Sequence, residues 1–196
     1  MSTTIAPSMM GLDAPPVPNR MTPEEFAEKY DGQRVEYIYG KVVEMPMSEF
    51  VHGCVCNMVS FLITSFVLQN DLGRVTCNDT WLKVPMPDDT TKVRGADVFF
   101  ISYRRLPKGK MKRGLLQQSP ELVAEVKSPS DSWPKIKIKV AEYLANNVLA
   151  VVVFDPTKET ATVYRNTGET KLASTDTLEL PDILPGFRVP VAKFFA

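Results

Sequence analysis

The sequence predicts a mixed β-sheet flanked by helices, α/β or α+β, in a single domain over residues 21–196. Three observations predict it. VLAVVVFD, residues 148–155, is a near-continuous apolar run, the pattern of a strand buried on both faces. RVEYIYGKVVEMP alternates apolar and polar residues with the period of a half-buried strand. Pro134 to Asn147 has the helical period, with Ile136, Val140, Tyr143, Leu144 and Asn147 on one stripe.

The elements follow in order. Residues 1–20 hold four prolines and little that packs, and are expected to form a disordered tail. In Thr22-Pro23-Glu24-Glu25, Thr22 suits the cap, Pro23 the first helical position, and Glu25 closes a capping box. A short helix over Pro23–Tyr30, stopped by Asp31-Gly32, follows from this. Tyr39-Gly40 is the turn of a hairpin with strands near 34–38 and 41–45. A long apolar helix is expected over 51–70, then a strand near 74–84 ending in PMPDDTT. Two strands, Ala96–Ser102 and Leu122–Ser128, are joined by a basic loop. After the helix and strand already named, ATVYRN returns as a hairpin partner, and DTLEL and LPGFRVPVAKFF close the chain.

Composition limits the function. The 23 basic and 23 acidic side chains cancel, so a general electrostatic grip on nucleic acid or anionic lipid is not written into the total. Contact with a polyanion has to come from local clustering. Cys54, Cys56 and Cys77 make no disulfide framework, and the N-terminus has no signal-peptide pattern, which points to the reducing cytoplasm. The apolar stretch Met58–Leu68 is too short for a membrane span and reads as a buried helix.

The chemistry is concentrated in two strands. In VAEVKSPSD, Val123, Glu125 and Lys127 share one face of a strand, while Leu122, Ala124 and Val126 point to the other. Charges on a sheet face among apolar strands are costly unless they are paired or bind something. Asp97, within ADVFFIS, poses the same problem. If the two strands are neighbours, Asp97 and Glu125 bring two carboxylates together beside Lys127. Two carboxylates make a hard oxygen site suited to Mg²⁺ or Mn²⁺. A lysine beside them positions an attacking water and stabilises charge developing on phosphorus. That combination is what metal-dependent phosphodiester hydrolysis requires. The plain alternative is an ion pair at a sheet edge.

In order and spacing, these segments resemble the PD-(D/E)XK nuclease superfamily, and more closely its Uma-type restriction-endonuclease branch. The residues carrying the resemblance are TPEEF, RVEYIYGKVVEMP, His52 opening a long helix, VRGADVFFIS, PELVAEVKSPSD, Lys139 with Tyr143, VVVFDP and LPGFRVPVAKFF. The resemblance implies a restriction-endonuclease-like fold and a Mg²⁺-dependent DNA endonuclease. By it, Asp97 is the acidic residue of a core strand, and Glu125 with Lys127 is the (D/E)XK pair. Glu36 becomes an upstream glutamate that joins the metal site, Lys139 an assisting lysine, and His52 a histidine of the same site. Taken alone, Glu36 reads as a solvent-facing hairpin residue. Ala96 replaces the proline of the superfamily's name, and Asn147 stands where glycine is usual. Such nucleases pair to cut two strands, so a homodimer is an expected assembly. A catalytically inactive nucleic-acid-binding or regulatory protein on the same fold is the alternative. A third reading is a structural partner protein that dimerises through the 51–70 helix.

Two further features complete the reading. Arg104, Arg105, Lys108, Lys110, Lys112 and Arg113 cluster in ten residues without an acid. Such runs are usually solvated loops; beside a phosphodiester site, this one is expected to hold a nucleic-acid backbone. His52 and the three cysteines number four zinc-type ligands, but Cys54 and Cys56 lie about 200° apart on a helix, and the spacing matches no zinc knuckle or ribbon. The cysteines read instead as small core residues.

Overall fold

The structure is a computed structural model that describes residues 20–109, 111 and 113–196. Helix α1 spans Pro23–Lys29 and carries the expected capping box. The Thr22 hydroxyl accepts the Glu25 N–H at 3.1 Å, and Glu25 accepts the Thr22 N–H at 2.7 Å. Strands β1 (Val35–Ile38) and β2 (Lys41–Glu44) form the hairpin, with Tyr39 and Gly40 both at positive φ. Helix α2 (Phe50–Gln69) leads to β3 (Gly73–Lys83) and β4 (Val93–Ser102). Strand β5 (Leu122–Val126), helix α3 (Trp133–Ala145) and strands β6 (Ala150–Asp155), β7 (Thr160–Arg165) and β8 (Gly168–Leu172) follow. Strands β9 (Thr177–Glu179) and β10 (Arg188–Pro190) pair separately before a short 3₁₀ turn, Val191–Phe194.

The main sheet runs β2-β1-β4-β5-β6-β7-β8, with β3 also paired to β4. All its pairs are antiparallel except β5 with β6, which the α3 crossover makes parallel. The mixed sheet flanked by helices is therefore the observed fold. Strand β8 and the β9–β10 ladder had no sequence expectation. GETKL is polar, and four of its five residues are exposed, so periodicity carries no signal there.

Alternation along β5 sorts the core into two layers. Leu122, Ala124 and Val126 face the layer holding Val55, Val59, Ile63 and Val67 of α2, together with Leu178, Leu184 and Phe194 from the C-terminal segment. Val123 faces the other layer, with Ile136, Val140 and Tyr143 of α3. Strand β6 is buried throughout, as its apolar run requires. Asn147 sits at φ 64, in the left-handed region where glycine is the easier residue.

Several expectations are corrected. Helix α2 is 20 residues without a charged side chain, long and apolar enough by length and composition to cross a bilayer. Its valine and isoleucine stripe instead packs on the sheet, as a core helix does. Cys54 and Cys77 are exposed and are not core residues: the first sits on the outer side of α2, the second beside a bulge in β3. The expected tail falls on residues outside those described, except Arg20, whose guanidinium reaches Asp89 at 3.1 Å.

Candidate active site

A gap in the sheet creates the site. On one edge of β4, β5 pairs at Val98–Phe100, while β1 meets the same strand only at Val93. Between these two neighbours, β4 has no strand partner on that edge among the described residues, and side chains take the place of a ladder. The Gly95 N–H donates to Glu36 Oε1 at 3.2 Å, and the Gly95 carbonyl accepts Lys139 Nζ and the Tyr143 hydroxyl, each at 3.4 Å. Asp97 Oδ2 accepts the Val126 N–H at 2.6 Å. Continuing the register one pair past Val98↔Ala124 sets Asp97 opposite Glu125.

Opposite Asp97, on the other edge of β4, β3 bulges between Cys77 and Thr80. Asn78 and Asp79 both take positive φ there. The extra residue bends the strand and re-aims Asp79, which lines the cleft and binds Arg34 Nη2 at 2.5 Å. Gly95 is needed at this crossing. A Cβ there would meet Met45 Sδ at 3.0 Å and the Asp79 carbonyl at 3.2 Å.

The cleft is about 520 Å³, and Glu36, His52, Asp79, Arg94, Asp97, Glu125, Lys127, Lys135 and Lys139 are among its walls. Glu36, Asp97 and Glu125 are 5–8% exposed, so three carboxylates are almost wholly removed from water. Glu36 thus faces inward, contrary to its reading as a lone hairpin residue. Val35, Glu36 and Tyr37 are all buried, so both faces of β1 are covered, and Arg94 supplies the partner that makes a buried carboxylate tolerable.

The charges form a chain. Arg94 donates from Nη1 to Glu36 at 2.8 Å and from Nε to Glu142 at 2.7 Å, and Glu142 also takes Lys92 Nζ at 2.8 Å. Lys139 lies 3.2 Å from Glu36 and 3.5 Å from Glu125. The Tyr143 hydroxyl donates to Glu125 Oε1 at 2.8 Å. Lys127 stands apart from this chain. It follows the last residue of β5, its N–H donates to Phe154, and its Nζ meets the Ser128 carbonyl at 3.1 Å. Asp131 closes the turn behind it by accepting the Ser128 N–H at 2.9 Å.

Burial pushes the Glu125 carboxyl up to about 8; Lys139 opposes this and the Asp97 charge reinforces it. Burial works against the charge on Lys139, yet Glu125, Glu36 and Asp97 hold it above its ordinary range. Asp79 is raised, by burial first and then by Asp97. His52 is raised by its contact with Asp97, with Nε2 3.6 Å from Oδ2, against the opposing pull of burial. Burial likewise holds the Cys56 thiol well above its usual value.

The structure therefore brings together Asp97, Glu125, Glu36, Lys139 and His52, with Lys127 on the rim. Sequence reasoning missed Arg94, Glu142, Tyr143 and Asp79. Tyr143 was placed on the α3 stripe as a packing residue, although its hydroxyl is the useful part. The signal for Asp79 was present in Asn78-Asp79, two residues that tolerate positive φ inside a strand. Arg94 and Glu142 carry no sequence signal, because they are 48 residues apart and only the fold joins them.

The basic loop is not part of this cleft: none of its described residues, Arg104, Arg105, Lys108 and Arg113, lines it. Lys110 and Lys112 lie outside the described residues. Arg105 is consumed locally, 3.3 Å from Glu121 and bonded to the carbonyls of Ser119, Pro120 and Asn147. Lys108 pairs with Asp71, just past the end of α2. That end is about 26 Å along the helix axis from His52. The physical reason is direction: the loop follows the C-terminal end of β4 and enters β5 at its start, whereas the carboxylates gather where β5 ends. Arg34, Lys127, Lys135 and Lys139 supply positive charge at the cleft instead.

Comparison with known proteins adds three findings. The profile of the Uma2 family, described as "putative restriction endonuclease", matches residues 23–192. A crystal structure of a putative nuclease belonging to DUF820 from Anabaena variabilis superposes with a TM-score of 0.76 at 18% identity, covering 89% of this chain and 97% of that one. At that identity the likeness is one of fold. No curated protein matches the chain.

Proposed function

The chain belongs to the Uma2 family, and from that premise and the carboxylate cleft we propose a divalent-cation-dependent endonuclease that hydrolyses phosphodiester bonds of nucleic acid, with DNA as its substrate. One observation carries the reading. Asp97 and Glu125 are held side by side away from water, and Glu125 keeps a proton to about pH 8. Two buried carboxylates in such a position carry an electrostatic cost that a bound cation relieves.

The donor set fits Mg²⁺ or Mn²⁺. Asp97 and Glu125 offer hard oxygens, and the open cleft leaves room for water and phosphate. Asp97 and Glu125 would hold the cation, which would supply polarisation of the phosphodiester and a bound water of lowered pKa. Glu36 has both oxygens on Arg94, Gly95 and Lys139, so its role is to position Lys139 and the edge of β4. Tyr143 and Lys139 fix the rotamer of Glu125. Lys127, whose Nζ has only a carbonyl partner among the described residues, is free to hold the attacking water and to stabilise negative charge on phosphorus. Lys135 and Arg34 line the rim, where the substrate backbone passes.

The test is incubation of the purified protein with supercoiled plasmid and Mg²⁺ or Mn²⁺. Nicking that requires the cation and disappears in Asp97→Asn and Lys127→Ala is the expected result. Cleavage that survives both substitutions overturns the site assignment. Binding without cleavage selects the inactive nucleic-acid-binding protein.

A further inference from the structure

Beside the carboxylate pair, a second set of ligand atoms converges. His52 and Cys56 are one turn apart on α2 and present their side chains on the same face. His52 Nε2 lies 3.9 Å from Cys56 Sγ and 3.6 Å from Asp97 Oδ2. One ligand atom from each residue falls within 4.8 Å of the other two. Ligands around a tetrahedral zinc ion stand about 3.5 Å apart, given bond lengths near 2.0–2.3 Å. The two separations from His52, 3.6 and 3.9 Å, are close to those of a zinc centre, and the third is within 4.8 Å.

The ring of His52 supplies an independent indication. It is 8% exposed, and its ring meets the Cys56 thiol at 3.5 Å, the Val126 backbone, and an Asp97 carboxylate oxygen at 3.6 Å, the last longer than an N–H···O hydrogen bond. The long Asp97 contact leaves room for a cation taken by both the ring nitrogen and the carboxylate oxygen.

We infer that His52, Cys56 and Asp97 form a site for a thiophilic divalent cation of the zinc class, and that its occupancy inhibits by withdrawing Asp97 from the hard-cation site. Binding forms a bond from each of the three residues and releases the thiol proton of Cys56 to solvent. Cys54 and Cys77 take no part, since both are exposed and outside this group. The site differs from the four-ligand zinc set rejected from sequence, because its third ligand comes from β4 and not from a cysteine. Inhibition rests on the endonuclease reading; zinc binding itself does not.

The experiment loads the metal-free full-length protein with Co²⁺ as a spectroscopic probe and with Zn²⁺ in competition with a chromophoric chelator. One ion per chain is expected, with a near-ultraviolet thiolate-to-cobalt band. Cys56→Ser abolishes the band, and both Cys56→Ser and His52→Gln weaken Zn²⁺ binding at least about tenfold. Cys54→Ser and Cys77→Ser leave the band and the affinity unchanged. A thermal melt of each variant confirms that it is folded. No band, a band kept in Cys56→Ser, or one lost in Cys54→Ser or Cys77→Ser overturns the site. If Mg²⁺-dependent nicking is observed, Zn²⁺ at one equivalent suppresses it in the natural sequence but not in Cys56→Ser, whose side chain is not among the cleft walls. Suppression unchanged in Cys56→Ser overturns the inhibitory role. If no nicking is observed, the cobalt spectrum still decides the site.

Discussion

The carboxylate of Asp97 accepts the backbone N–H of Val126 at 2.6 Å, where a regular ladder would offer a backbone carbonyl. One residue thus holds the end of β5 against β4 and presents negative charge opposite Glu125.

The two roles separate by substitution. Asp97→Asn keeps an acceptor for Val126 and removes the charge. It is expected to abolish cation-dependent nicking while the thermal midpoint stays near that of the natural sequence. Asp97→Ala also leaves the buried N–H unpaired, at a cost of roughly 1–3 kcal/mol. Urea denaturation of the two variants side by side checks the difference.

The pH dependence of stability follows from Glu125. Its carboxyl is raised from 4.5 to about 8 in the folded, cation-free protein, so folding takes up a proton that the unfolded chain would release. Stability is then highest below the unfolded value and falls as pH rises from about 4.5 to about 8. The raised His52 contributes in the same direction, losing its stabilisation as pH rises through its folded value. Glu125→Gln is expected to flatten the curve in urea titrations of cation-free protein. Cation binding displaces the same proton, which calorimetry in buffers of different ionisation enthalpy detects.

Arg94 joins two buried glutamates, at 2.8 Å to Glu36 and 2.7 Å to Glu142. Arg94→Ala leaves Glu36 with Lys139 and Glu142 with Lys92 as their remaining charged partners, and is expected to destabilise by up to about 3–5 kcal/mol. Arg94→Lys restores little, since an ammonium does not reproduce the fork that spans the two carboxylates. Chemical denaturation measures both.

The two lysines at the site are expected to fail differently. Lys127 has one backbone partner and lies at the rim, so Lys127→Ala lowers the rate of nicking by about 10²–10³-fold with little change in melting. Lys139 pairs with Glu36 and Glu125, so Lys139→Ala lowers the thermal midpoint and raises Glu125 further. Single-turnover rates and thermal melts together distinguish them.

Nucleic-acid affinity tests where the backbone runs. Lys135→Ala at the cleft is expected to weaken binding and to reduce the salt dependence by about one phosphate contact. Lys108→Ala, paired far along α2, is expected to leave both unchanged. Binding titrations over a salt series check this.

Local and periodic information alone determined much of this protein. The capping box at Thr22, the Tyr39-Gly40 turn, the α3 stripe from Ile136 to Leu144 and the apolar β6 run each follow from neighbouring residues and were found where expected, whereas Asn147, expected on the same stripe, lies past the helix end and is exposed. The isolated charges Asp97, Glu125 and Lys127 also stood out, because a strand has no inexpensive place for them. The tertiary structure alone decided how those charges are shared. It turned Glu36 inward onto Arg94, put Lys139 between two carboxylates, aimed Asp79 through a bulge and set His52 and Cys56 beside Asp97. It also placed the described part of the basic loop away from the cleft. The reason is that periodicity reports which face of an element is buried. Partners in a buried ion network are set by strand order and by where a ladder breaks, and in this fold that break falls between Val93 and Val98 of β4.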